Sequence, residues 1–325
     1  MTTLPRKVIY VDQITTWWPD STVNIREICD AGYNVIILAF YLLDSATDVV
    51  FAWQTSIEQQ RKDTLDYIHS KGAILLMSAG GDSIAPYEQI TGTEYGTRTA
   101  NYAKQYGFDG VDYDLENFGA GLTYGSLNSQ QIIDWLSDCT TACKNILGDT
   151  GIISYAPQSP YFGPINSSIP TWVGPLGGFV GVNARVGDKI DFYNVQFYNQ
   201  GADMYVNYQN LFINSGTSLP FTSVKEINLA GIPLNKIVVG KPMLVSDASN
   251  GYVNPSQLGL WFNQAKQELN WNAGLMFWQF HDYETCKQSL DQVYPQTAIK
   301  NSKDTILLKC KLRKSGRLLC KLVKN

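Results

Sequence analysis

The sequence repeats one unit along its length: a short apolar run, a polar loop, then a stretch with helical spacing of apolar residues. The runs fall at residues 7–12, 34–40, 73–78, 110–116, 151–156, 192–198, 236–240 and 274–280. Most are near-continuous in Val, Ile, Leu, Phe and Tyr, the pattern of strands buried on both faces of a parallel sheet. Helical spacing is clearest over 56–71, 128–147 and 255–270. The second of these opens at Asn128-Ser129-Gln130 and the third at Asn254-Pro255, residue types that start helices. Eight strands alternating with helices predict an α/β chain folded as a (β/α)₈ TIM barrel. A doubly wound open sheet is the competitor, but no G-x-G-x-x-G opens a helix here. Two stretches rich in Gly, Pro, Asn and Ser, 157–190 and 199–235, are expected to be elaborated loops over one rim.

Within the fourth run, residues 109–116 read Asp-Gly-Val-Asp-Tyr-Asp-Leu-Glu. On a strand, Asp112, Asp114 and Glu116 share one face, with neighbours about 6–7 Å apart. Carboxylates that close in an apolar setting repel, so at least one should hold its proton to unusually high pH. A buried carboxylate is costly unless paired. Folding alone gives no reason for the row, whereas acid chemistry does. Barrel active sites sit at the carboxyl ends of the strands, and Glu116 closes its strand at that mouth.

Composition narrows the classes. Hydrophobic residues make up 44% of the 325 and charged residues 17%, which allows a normal core and excludes a disordered chain. The 8 Trp and 19 Tyr suit flat, amphipathic ligands such as sugars, or a core. Only His69 and His281 are available with Cys29, Cys139, Cys143, Cys286, Cys310 and Cys320, and no Cys-x-x-Cys occurs. This set fits neither a zinc site nor a Cys/His nucleophile, so the expectation is no metal, no cofactor and mostly buried thiols. The amino terminus has no signal-peptide pattern, and no apolar run reaches membrane-spanning length.

The octapeptide resembles the signature of glycoside hydrolase family 18, the chitinases and related endo-β-N-acetylglucosaminidases. Further segments agree in order. Ser78-Ala79-Gly80-Gly81 closes the third run, Gln196-Phe197-Tyr198-Asn199 the sixth, and Trp278 lies in the eighth. The resemblance spans about residues 7–294 and implies a barrel that acts on chitin or N-acetylglucosamine oligosaccharides. It implies Glu116 as proton donor and the substrate's 2-acetamido oxygen as nucleophile. Asp114 would hold the acetamido N–H, Tyr198 its oxygen, and Asp112 would share a proton with Asp114. Asp109 and Ser78 would give structural support. Trp278, Gly80, Gly81, Gln196 and Asn199 would bind substrate. Phe40, Tyr10 and Tyr155, near strand ends, are candidates either for the cleft or for the core. An endo-β-N-acetylglucosaminidase on N-glycan cores and a non-catalytic lectin are the alternatives. The lectin reading is opposed by the presence of all four of Asp112, Asp114, Glu116 and Tyr198. The substrate class is extracellular, which leaves the route of export unread.

Residues 300–325 differ from the rest. They carry nine Lys or Arg and one acid, a net of +8, against 16 basic and 28 acidic side chains, a net of −12, over residues 1–299. Ile306, Leu308, Cys310 and Leu312 alternate with Lys309 and Lys311, and Leu318, Cys320 and Leu322 follow Lys314-Ser315-Gly316. A turn centred on Ser315 would pair Leu312 with Leu318, Cys310 with Cys320 and Leu308 with Leu322 in a hairpin closed by a glycine bulge. The division expected is a catalytic barrel over 1–299 and a basic tail over 300–325. The tail is either a plain appendage or an anchor to an anionic surface, with no specific nucleic acid implied.

Overall fold

In the computed structural model, described over residues 3–116, 129–163, 178–295, 306–312 and 318–324, eight parallel strands close into a barrel in chain order. They are β1 (Arg6–Val11), β2 (Val35–Tyr41), β3 (Ile74–Gly81) and β4 (Gly110–Leu115), then β5 (Ile152–Tyr155), β6 (Phe192–Gln196), β7 (Ile237–Pro242) and β8 (Gly274–Trp278). Closure is made by β8 on β1, from Arg6 opposite Gly274 to Ile9 opposite Phe277. Helices cover the outside: α1 (Val23–Ala31), α2 (Asp48–Thr55), α3 (Glu58–Ser70), α4 (Gly92–Tyr106) and α5 (Ser129–Leu147), followed by α6 (Gly178–Val186), α7 (Val224–Leu229), α8 (Pro255–Leu269) and α9 (Tyr283–Val293). Among the described residues, no helix is long and apolar enough to cross a membrane.

The period of two explains how one strand serves two surfaces. On β4, Val111, Tyr113 and Leu115 face the helices, and the Tyr113 hydroxyl meets Thr99 of α4 at 2.7 Å. Tyr155 of β5 repeats the contact with Thr140 of α5 at 2.8 Å, and Tyr193 of β6 donates to Asn183 of α6 at 3.1 Å. Tyr155 therefore belongs to the layer between strands and helices, not to a cleft. The other face of these strands fills the barrel interior with Ser78, Asp112, Ser154 and Asn194, all buried.

Both stretches expected to be loops carry ring helices. Their Gly and Asn content lowers intrinsic propensity, but tertiary packing overrides it. On α6, Phe179, Val182 and Val186 recur at helical spacing and are buried. The start of α7 is fixed by a capping box in which Ser223 and Glu226 satisfy each other's backbone N–H groups. The helix start expected at Asn128, residues 164–177, the 299/300 division and the turn at 313–317 lie outside the described residues.

By its contacts the chain forms two compact units, Met1–Tyr294 and Pro295–Asn325. The second holds β9 (Ile306–Leu312) and β10 (Leu318–Lys324), paired antiparallel. The register sets Leu312 opposite Leu318, Cys310 opposite Cys320 and Leu308 opposite Leu322, the pairs expected from the alternation. Cys29, Cys139, Cys143 and Cys286 are buried free thiols.

Candidate active site

Asp112 anchors the site from below. Its side chain is fully buried, and both oxygens are saturated with donors. Oδ2 accepts from the Tyr10 hydroxyl at 2.6 Å and Ser78 Oγ at 2.9 Å. Oδ1 accepts from Ser154 Oγ at 2.6 Å and Asn194 Nδ2 at 3.3 Å. Burial pushes this carboxyl upward, and the four donors pull against that push.

Asp114, one step nearer the mouth, is 3% exposed and accepts from Gln196 Nε2 at 3.0 Å. Burial, then the charges of Glu116 and Asp112, drive it well above the usual carboxylate range. Glu116 follows the end of β4. Gln158 Nε2 donates to its Oε2 at 3.2 Å, and the Tyr161 hydroxyl donates to its backbone carbonyl. Burial raises Glu116 as well, opposed by donors from Gln158 and Gln196 and reinforced by Asp82. The two neighbouring carboxyls are both displaced upward, so the proton equilibrium of each acts on the other.

This pair opens into a cavity of about 290 Å³ at the carboxyl ends of the strands. Tyr198, Gln196, Asn199, Trp278 and Phe40 line it together with Asp114 and Glu116. Tyr198 is buried, yet its hydroxyl bonds no described residue. Burial and the charges of Glu116 and Asp114 hold it neutral, and it lines the cavity as a donor without a partner among the described residues. Trp278 and Phe40 pack together with ring centroids 6.1 Å apart. The Asn199 side chain is committed elsewhere, accepting from Ser249 N and Oγ at 2.9 Å. A larger recess of about 560 Å³, lined by the start of α4 and by α5, holds none of the strand-end carboxylates.

Tyr10, Gly80, Gly81 and Asp109 each hold a place in the packing of the barrel. Tyr10 is buried beneath the cavity and serves Asp112. Gly80 has φ +124°, and a Cβ there would lie 2.2 Å from the Asp114 carbonyl oxygen. The approach of β3 to β4 thus leaves no room for a side chain there. At Gly81 a Cβ would rest 3.6 Å from the Phe40 ring. Asp109 sits at the opposite end of β4, where it accepts from Leu75 N at 2.7 Å and pairs with His69 at 3.0 Å. It ties β4 to β3 and α3, a supporting position.

The cavity also holds three acids that the sequence reading did not single out: Asp12, Asp48 and Asp82. Asp12 follows β1 beside the Gln279 amide and is raised to about 6 by burial, with Asp48 and Asp247 adding and His281 opposing. The signal for Asp12 and Asp82 was their position directly after a strand.

Comparison with known proteins agrees with the barrel fold. No protein-family model matches the chain. It is 26% identical over 277 residues to a chitinase of Enterococcus faecalis, covering 79% of this chain and 74% of that one. It is 24% identical over 285 residues to endochitinase 4 of Metarhizium anisopliae, covering 82% and 94%. The match to chitinase Chi52 of Paenibacillus xylanexedens, at 23% identity, spans 73% of this chain but about half of that protein, 48%. Among solved structures, a GH18 chitinase from Pseudoalteromonas aurantia superposes with TM-score 0.66 at 22% identity, covering 88% of this chain and 99% of that one. The barrel is shared with a xylanase and alpha-amylase inhibitor protein from Scadoxus multiflorus, TM-score 0.53 at 18% identity, covering 90% and 98%. The resemblance to glycoside hydrolase family 18 drawn from residues 109–116 is borne out.

Proposed function

We propose that the chain is an endo-chitinase that hydrolyses β-1,4 bonds between N-acetylglucosamine units with retention, by substrate-assisted catalysis. The chitinase relatives and family 18 structural neighbours support a glycoside hydrolase. One observation carries the finer reading: Asp114, Glu116 and the unbonded Tyr198 hydroxyl converge on a single cavity.

In the free enzyme, Asp114 and Glu116 share a proton. A sugar entering the cavity presents its acetamido N–H to Asp114, which favours the anion there and leaves the proton on Glu116. Tyr198 donates to the acetamido oxygen and aims it at the anomeric carbon. Glu116 then protonates the leaving oxygen as the acetamido oxygen attacks, and Asp114 stabilises the oxazolinium cation formed. Water attacks from the vacated side with Glu116 as base. No enzyme carboxylate bonds to the sugar, an exception to the usual two-carboxylate scheme. Trp278 offers its indole face to the C–H surface of the pyranose.

Glu116→Gln removes the acid and should lower turnover of chitooligosaccharides by about 10²–10⁴-fold. Unchanged turnover would sink the mechanism. Loss of the β anomer as first product, read by NMR, would sink retention. Release of N-glycans from a high-mannose glycoprotein would instead favour an endo-β-N-acetylglucosaminidase.

A further inference from the structure

Two adjacent tryptophans stand in water beside the barrel mouth. Trp17 is 58% exposed and Trp18 85%. Folding normally removes most of an indole's area from solvent, so two neighbours left out call for a reason.

Their backbone is held firmly. Buried Asn24 accepts from Thr15 N at 3.0 Å and Thr16 N at 3.1 Å, and donates to Thr15 Oγ1 at 3.0 Å. On the far side, Gln60 Nε2 donates to the Pro19 carbonyl at 3.1 Å, and Arg26 pairs with Asp20 at 2.6 Å. The indoles are therefore presented on fixed backbone, the condition for binding without a large ordering cost.

Between this loop and the end of α2 runs a groove of about 140 Å³. Trp17, Trp18 and Pro19 form one side, and Thr55, Ile57 and Gln60 the other. No charged side chain lines it among the described residues, in contrast to the acidic catalytic cavity. Apolar faces edged by hydroxyl and amide groups match a neutral polyhydroxyl ligand, whose C–H faces stack and whose hydroxyls bond at the rim. The groove and the active site are bordered by the same two chain segments. Asp12 of the cavity begins the loop that carries the indoles. Helix α2 starts at Asp48 in the cavity and ends at Thr55 in the groove, about 10 Å along its axis.

We propose that the Trp17–Trp18 groove is a second, non-catalytic glycan site, which holds insoluble polysaccharide beyond the catalytic cavity. That the glycan is chitin rests on the chitinase reading above. The test compares Trp17→Ala/Trp18→Ala with the parent chain. Binding to insoluble chitin is measured in a Glu116→Gln background, and turnover of chitotetraose and of insoluble chitin with Glu116 intact. The expected result is about tenfold weaker retention on insoluble chitin, slower hydrolysis of it, and unchanged kcat/KM on chitotetraose. Undiminished retention overturns the proposal. So does a parallel loss on chitotetraose in a folded variant, because the indoles would then belong to the catalytic cleft. A parent chain that cleaves neither substrate yet loses chitin retention on the double substitution would overturn the chitinase reading and leave the groove standing.

Discussion

The four donors to Asp112 decide where a mobile proton can sit. Protonating that carboxyl would leave one of the four without an acceptor, a cost of about 1–3 kcal/mol in a buried site. Asp114 has Gln196 as donor and lies between two other acids. In the proposed mechanism these donors favour a shared proton between Asp114 and Glu116, whereas the resemblance to family 18 implies one between Asp112 and Asp114. The charge of Asp112 adds to burial and Glu116 in raising Asp114. Two outcomes follow at this scale. Tyr198→Phe removes only the free hydroxyl, so the fold should persist while kcat on chitotetraose falls by about 10²-fold. Asp82 raises Glu116 through space, so Asp82→Asn should move the alkaline limb of the kcat/KM profile to lower pH. A limb that stays in place would show that Asp82 does not act on the acid.

Buried Lys241 ties β7 to three loop carbonyls. From β7 its Nζ donates to the carbonyls of Phe197 at 2.7 Å, Tyr205 at 2.8 Å and Gly251 at 3.0 Å. Phe197 directly precedes Tyr198, and a Cβ on Gly251 would lie 2.6 Å from the Tyr198 Cα. The clamp thus fixes the backbone that aims the tyrosine. Burial lowers this lysine well below its ordinary range, and three carbonyl acceptors support its charged form. Lys241→Met keeps the stem but strands three carbonyls. It should cost about 3 kcal/mol of stability in urea unfolding and reduce kcat, because Tyr198 loses its support. Nothing in the sequence flagged Gly240-Lys241-Pro242, since a lysine in a strand reads as an edge residue. The same limit explains the other omissions. Asp12 and Asp82 are single acids at strand ends, which read as solvated rim residues, and Asp48 is a single acid at a helix start. The row at 112–116 was legible because period two forces its three acids onto one face. The strands were legible because eight apolar runs recur, whereas α6 and α7 are held by packing and capping that composition hides. Tyr10 was left open between cleft and core because an aromatic near a strand end can point into the barrel as well as across its mouth.

Contacts divide the chain at 294/295, five residues before the 299/300 division drawn from charge. The acidic barrel and the basic hairpin are separate compact units, so deletion of 301–325 should leave the thermal midpoint and chitotetraose turnover of the barrel unchanged. Loss of either would make the hairpin part of the catalytic unit. Global stability should also carry the mark of the cavity's acids. Asp12 is raised to about 6 in the fold, against about 3.9 for a free side chain. Between these values the folded chain binds more protons than the unfolded one, so stability falls as pH rises through the window. The loss is complete above about pH 6 and absent below about pH 4. Replacing Asp12 with Asn removes the charge that burial opposes. Because the side chain is partly exposed, solvent screening reduces the effect to about 1 kcal/mol, or roughly 2–4 °C in thermal midpoint. Asp12→Asn should therefore melt higher than the parent at pH 7.5 and together with it at pH 4, and the two midpoint curves should diverge between pH 4 and 6. A constant offset across that range would mean that the substitution changed packing rather than a buried charge.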